Sequence, residues 1–229
     1  MGYSEISYED IQTGKVVLQT GDIILFSGRA LLSMFIRCFT GSPLSHAGIV
    51  AFHPHFPGIP FLIESVISRD SFHNYLRKGF QNGVRAVELL SRIKSYDGSV
   101  FLRTLENKSG DQEWIKDEKK RINDEIWNHI DLIRTCGYDH SFYSIEIAID
   151  QNCVSFVKPG VPERFHCSSL VAYLLKKIDI IPPFVHETQY IPDTFMEEDA
   201  TIGCINGWKY SEMFRINMPI NRDIERTNL

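Results

Sequence analysis

Phe165-His-Cys-Ser-Ser-Leu-Val-Ala-Tyr-Leu-Leu-Lys-Lys-Ile178 decides how the rest of the chain is read. Leu170, Val171, Leu174, Leu175 and Ile178 recur at helical spacing and give the stretch a face to bury. Cys167 falls in the opening turn of that helix. Unpaired backbone N–H groups and the helix dipole favour an anion there, which lowers a thiol pKa and prepares a nucleophilic thiolate. The competing reading is a small buried hydrophobe, a common fate of free cysteine. The two readings part on whether the fold supplies a base and a group to orient it.

Upstream of this helix, Gln151 to Arg164 read as a loop punctuated by Pro159-Gly160 and Pro162. The segment from His140 to Asp150 has aromatic and β-branched character and does not settle between helix and strand. Gly137-Tyr138-Asp139 breaks a charged helix expected over Gln112–Thr135. Trp114, Ile115, Ile122, Ile126, Ile130 and Ile133 supply the apolar side of that helix, and its Glu and Lys run reads as a solvated face. Downstream, Ile181-Pro182-Pro183 stops the cysteine helix and opens an irregular arm over residues 184–199. A strand is expected at Thr201–Ile205, a last apolar segment at Met213–Ile220, and a frayed polar tail from Asn221.

The first half of the chain reads as strands with short helices. Residues 1–20 form an extension with a short helix or strand, and Gly21-Asp22 turns the chain. Strands follow at Ile23–Phe26, Leu44–Phe52, Phe61–Val66, Val84–Leu89 and Val100–Leu105. Between them lie an amphipathic helix over residues 29–39, with Leu31, Leu32, Phe35, Ile36 and Phe39 as its core face, and short helices near Asp70–Leu76 and 90–96. Sequential strands tend to pair, so the layout is α+β: a mostly antiparallel sheet packed against helices. No repeat, low-complexity linker or domain boundary is visible, and residues 1–229 read as one domain with an N-terminal extension (1–20) and a C-terminal arm (182–229).

His46 is the best candidate base, because a strand positions it and Ala47-Gly48 beside it leave room for a substrate. Glu64 is the best candidate orienter. It interrupts the apolar run Phe61-Leu-Ile-Glu-Ser-Val66, where an unpaired buried charge is costly. A carboxylate facing His46 on the neighbouring strand removes that cost; the alternative is a Glu64 that faces solvent. His166, adjacent to Cys167, and His140 are rival bases. Neighbouring helical side chains diverge, which argues against His166 serving its own neighbour. His73, His129 and His186 read as ordinary surface or core histidines.

The formal charge of −5 over 229 residues argues against general nucleic-acid binding. No apolar run is long enough to span a bilayer. Met1–Asp10 is polar and acidic, unlike a signal peptide, and Ile6 stands where a myristoylation pattern needs Ser or Thr. The five cysteines, Cys38, Cys136, Cys153, Cys167 and Cys204, are odd in number and widely spaced. They fit the cytoplasm or another reducing compartment rather than a disulfide scaffold. Asn107-Lys108-Ser109 matches a glycosylation triplet, which reads as chance without a secretion signal. His53 and His55 lie in a proline-rich loop without a clear third ligand, so no metal and no cofactor is expected.

Taken together, Gly21–Phe26, Ser45-His-Ala-Gly-Ile-Val50, Phe61–Val66 and Phe165-His-Cys-Ser-Ser-Leu-Val171 resemble the NlpC/P60 superfamily of papain-like enzymes. Histidine comes before cysteine, which resembles the circularly permuted branch containing the YiiX/YaeF-like hydrolases and the lecithin:retinol acyltransferase group. Gly137-Tyr138-Asp139 resembles the tyrosine–aspartate segment ahead of the cysteine helix in the YiiX-like group. Ser169 departs from that group, where glutamate is frequent two residues after the cysteine. The likeness spans about residues 20–175 and leaves the charged helix and the C-terminal arm unexplained.

The resemblance implies a circularly permuted papain-like fold, with Cys167 as nucleophile, His46 as base and Glu64 as the third polar residue. Tyr138 is a candidate oxyanion or substrate contact. The implied activity is hydrolysis of an amide bond in a peptide or amino-acid conjugate. The alternatives are a lipid-directed acyltransferase or phospholipase using the same triad, and a catalytically silent binding or structural module.

Overall fold

The chain folds around a seven-stranded sheet in a computed structural model that describes residues 3–29, 41–67, 72–76, 82–139, 162–196 and 202–218. The strands are β1 (Ser4–Ser7), β2 (Ile23–Gly28), β3 (His46–Phe52), β4 (Pro60–Val66), β5 (Gly83–Glu88), β6 (Gly98–Arg103), β7 (Leu105–Asn107), β8 (Gly137–Tyr138), β9 (Arg164–Phe165), β10 (Trp208–Tyr210) and β11 (Phe214–Asn217). The helices are α1 (Tyr8–Gln12), α2 (Leu89–Lys94), α3 (Gln112–Ile133) and α4 (Cys167–Lys177). The main sheet runs β1-β11-β6-β2-β3-β4-β5. All its pairs are antiparallel except β1 with β11. Two small pairs, β7–β10 and β8–β9, stand apart from it.

Both faces of the sheet are covered. Ile23, Leu25, Ala47, Ile49, Phe61 and Ile63 pack on one side under α3 and α4. Ile24, Phe26, Val50, Leu62 and Val87 pack on the other with Tyr8 and Ile11 of α1 and Leu89 and Ile93 of α2. A strand buried on two faces has no polar side, which is why Ile23-Ile-Leu-Phe26 reads as an unbroken apolar run.

Helix α4 is enclosed more fully than its apolar stripe implies: Cys167 through Leu175 are all buried. It packs against β3, β4, α3 and the turn at Glu187–Gln189. Asp111 caps α3 by accepting from the Trp114 N–H at 3.0 Å. From α3, the Asn123 amide pairs with the Phe52 backbone, its Oδ1 accepting at 2.8 Å and its Nδ2 donating at 2.9 Å. Trp127 Nε1 adds a bond to the Phe52 carbonyl at 2.8 Å. These contacts clamp the far end of β3, opposite His46.

Several local expectations change. The extension over residues 1–20 contains both β1 and α1, and β1 extends the main sheet beside β11. Of the strand expected at Thr201–Ile205, the described residues Ile202–Ile205 are not extended into a strand. Gly203 and Gly207 take positive φ with Asn206, and the Ile205 N–H turns in to the Ile180 carbonyl, so strand geometry starts only at Trp208. Phe72–Leu76 is not helical; the Tyr75 N–H pairs with the Ala86 carbonyl instead. The charged face of α3 is not wholly solvated. Lys119 turns inward to the carbonyls of Thr20 and Leu105, at 3.1 and 2.8 Å, near the buried Asp22. The expected helix over 29–39, the segment 140–161 with His140, Cys38, Cys153 and the tail from Asn221 lie outside the described residues, Arg29 excepted.

Gly83 opens β5 at φ 114°, and a Cβ there meets the Cys136 carbonyl oxygen at 2.2 Å. Only glycine permits this approach, which brings the β8 segment against β5. Gly83→Ala is expected to cost about 3 kcal/mol from backbone strain and the clash. A urea midpoint equal to that of the parent protein would show that β8 shifts away freely.

Candidate active site

His46 is the first residue of β3 and Glu64 the fifth of β4. The β3–β4 ladder runs from Phe52↔Pro60 to Ile49↔Ile63 and stops short of both. Where the backbones cease to pair, the side chains take over: His46 Nε2 lies 2.6 Å from Glu64 Oε2. The Phe26 ring, cross-strand from His46, stands 5.4 Å from the imidazole. Glu64 is fully buried and His46 is 14% exposed.

Two arginines share the other carboxylate oxygen. Arg85, directly opposite Glu64 in the β4–β5 register, donates from Nε at 2.9 Å and Nη2 at 2.7 Å. Arg92 on α2 donates from Nε at 3.2 Å, its guanidinium stacked over Phe26 and Tyr96 at 5.1 Å from each ring centre. Burial pushes the Glu64 carboxyl upward, but the charge of Arg92, the hydrogen bond from His46 and the charge of Arg85 overcome it and hold it well below the usual carboxylate range. An ionised Glu64 can only accept, so it fixes the proton of His46 on Nε2 and leaves Nδ1 for another partner.

The charge that most strongly raises His46 is that of the Cys167 sulfur, and each of the two groups shifts the other. The thiol sits at the first helical residue of α4, whose tip is tied down on several sides. Ser65 Oγ and the Asp139 N–H both donate to the Phe165 carbonyl, at 2.7 and 3.0 Å. Tyr138 pairs with Phe165 in the β8–β9 ladder. His166 caps the helix. It is therefore outside the helix, in extended backbone, and the expectation of diverging helical neighbours does not apply to it.

Burial alone would raise the Cys167 thiol. The charge of His46 first, with His166 contributing, reverses this and brings it down to about 5. Burial would lower His46, yet the sulfur first and Glu64 second push it up to about 9. Both shifts favour a resting pair of thiolate and imidazolium. His46, raised above its unfolded value, loses its stabilising contribution as pH climbs through about 9. Cys167, depressed below its own, loses it as pH falls through about 5.

Tyr138 lies in the field of the sulfur. Burial, then the charge of Cys167, push its hydroxyl above the usual range, so it remains a protonated donor. Among the described residues, His53, His55, His73, His129 and His186 stand elsewhere. His53 packs on Trp127 at 4.5 Å, with its ring 5.5 Å from that of His55. Among the described residues no group of three or more His, Cys, Asp or Glu side chains is placed to hold a metal. His73 packs on Tyr75 and His129 on Tyr173, while His186 caps the turn at Glu187–Gln189. Among the described residues, Cys136, Cys167 and Cys204 form no disulfide. Among the described residues no helix is long and apolar enough to cross a membrane. Arg85 and Arg92 were absent from the sequence reading; a charge in Val84-Arg-Ala-Val87 opposite Glu64 was the available signal.

No family model matches the chain, and no curated protein matches it. Among solved structures, the chain is similar to the metalloprotein YiiX from Escherichia coli O157:H7, at 20% identity and a TM-score of 0.38. The match covers 70% of this chain and 66% of that one, just under two thirds of its length. At that score the likeness is compatible with a mixed α/β fold and carries no argument about the site.

Two outcomes follow from the geometry. Glu64→Gln leaves two buried guanidinium groups without their charge and is expected to cost about 3 to 5 kcal/mol, measured by chemical denaturation; a loss below a tenth of that would mean the arginines are free to reach water. Alkylation of Cys167, followed on its own tryptic peptide, is expected to fall to half its plateau rate at pH about 5; a half-point in the ordinary thiol range would rule out the ion pair.

Proposed function

We propose that this protein is a thiol hydrolase that cleaves amide bonds in peptides or amino-acid conjugates, built on a circularly permuted papain-like fold. One observation carries the reading: an imidazole is hydrogen-bonded to a buried carboxylate and electrostatically coupled to a sulfur at a helix tip far along the chain. The order of the motifs along the chain, histidine before cysteine, supports the permuted arrangement.

The reaction begins with the proton already on His46. The Cys167 thiolate attacks the carbonyl carbon, and the electron pair of the C=O bond moves to oxygen. The oxyanion forms against the Cys167 backbone N–H at the open helix start, with the Tyr138 hydroxyl as second donor. As the tetrahedral species collapses, His46 Nδ1 gives its proton to the leaving nitrogen, the C–N bond breaks and a thioester remains. Water then attacks the thioester, His46 takes its proton, the C–S bond breaks, and carboxylic acid and thiolate are released. Glu64 holds the ring in the tautomer this cycle needs.

Cys167→Ala is expected to abolish turnover and His46→Ala to lower it nearly as far, with the fold retained by circular dichroism. kcat/KM is expected to rise through pH about 5 and to fall through about 9 as His46 loses the proton it must donate. Intact-mass measurement after exposure to activated amide and ester probes should show a single adduct that C167A lacks. Full activity in purified C167A would reject the mechanism, and an adduct from ester probes alone would redirect the substrate class to lipid acyl esters.

A further inference from the structure

His166 is bound at one ring nitrogen and open at the other. The Ser169 N–H donates to its Nδ1 at 3.2 Å, and Ser168 Oγ lies 3.1 Å from the same atom. A backbone N–H can only donate, so Nδ1 must be unprotonated and the ring proton sits on Nε2. The side chain is 7% exposed, and among the described residues its buried Nε2 has no hydrogen-bond partner. A buried donor without an acceptor is costly and calls for a group that it can serve. The thiol of the next residue, Cys167, is also buried, and His166 helps to pull it down.

We propose that His166 is a positioning residue for the nucleophile assigned above: its Nε2–H donates to the ionised sulfur of Cys167 and holds it at the helix tip facing His46. The inference rests on the thiol-hydrolase reading, because a neutral, inert thiol gives the donor nothing to hold. It divides the labour between two imidazoles. His46 has Nδ1 open to the sulfur and moves the proton. His166 has Nδ1 committed to the helix cap and cannot accept one, so it stands in the site as a fixed dipole. The titratable groups facing the sulfur are His46 from β3, His166 from the cap of α4 and Tyr138 from β8. Glu64, Arg85 and Arg92 stand behind His46, and His186 faces His166 from the segment after α4.

The decisive variant keeps the cap and removes the ring. Serine is a strong N-cap acceptor for the Ser169 N–H but is too short to reach the sulfur with a second donor. In the full-length chain, His166→Ser is expected to raise the half-point of Cys167 alkylation by about one pH unit, which is about a tenfold slower reaction at pH 4, with little change in melting temperature. A parent profile near pH 5 that His166→Ser leaves unmoved would overturn the role of His166 and leave the hydrolase reading standing. A parent profile in the ordinary thiol range would overturn both. Nitrogen-15 shifts of the His166 ring in the parent protein supply a reading that needs no variant. The Nε2–H tautomer is expected, and an Nδ1–H tautomer would overturn the proposal.

Discussion

A single buried carboxylate holds the centre of this molecule. Glu64 sits inside an otherwise apolar strand with no exposure to water, and it is tolerable there because Arg85, Arg92 and His46 surround it. Each partner comes from a different element: the facing strand, a short helix crossing the sheet, and the neighbouring strand. The carboxylate therefore sets the relative positions of β3, β4, β5 and α2 at one end of the sheet. It also shapes the electrostatics of the site. Two guanidinium groups and an imidazole hold Glu64 ionised, and His46 in turn is raised by the sulfur and by Glu64.

The geometry depends on where regular structure ends. The β3–β4 ladder stops one residue pair before Glu64, and the gap is bridged by side chains rather than backbone. Helix α4 starts where β9 ends, and its tip is tied through the Phe165 carbonyl to β4 and to the segment after β8. The body of the helix is enclosed on all sides, so the tip has no freedom to swing. The Cys167 thiol is thus carried at the end of a rigid shaft, which fixes its orientation.

Much of this arrangement was legible in the residues. The apolar runs at Ile23–Phe26 and Phe61–Val66 are strands, and the glutamate breaking the second pointed to a buried partner because an isolated charge there is unaffordable. The helical-neighbour argument does not reach His166, which lies one position before the helix in extended backbone, serves as its cap and turns its ring on different rules. The arginines escaped notice because their meaning lies in cross-strand register and in the packing of α2, neither of which a linear pattern displays. Thr201–Ile205 misled for a related reason: its β-branched ends outweighed Gly203, whose positive φ sends the chain into a turn. Lys119 looked like one more surface charge, and only the fold shows two carbonyls waiting for it.

The wide separation of β3 and α4 along the chain has a consequence for biosynthesis. His46 and Glu64 emerge from the ribosome on adjacent strands, long before Cys167. The contact surface that joins the imidazole to the thiol therefore waits until α4 has been made and has docked against the sheet.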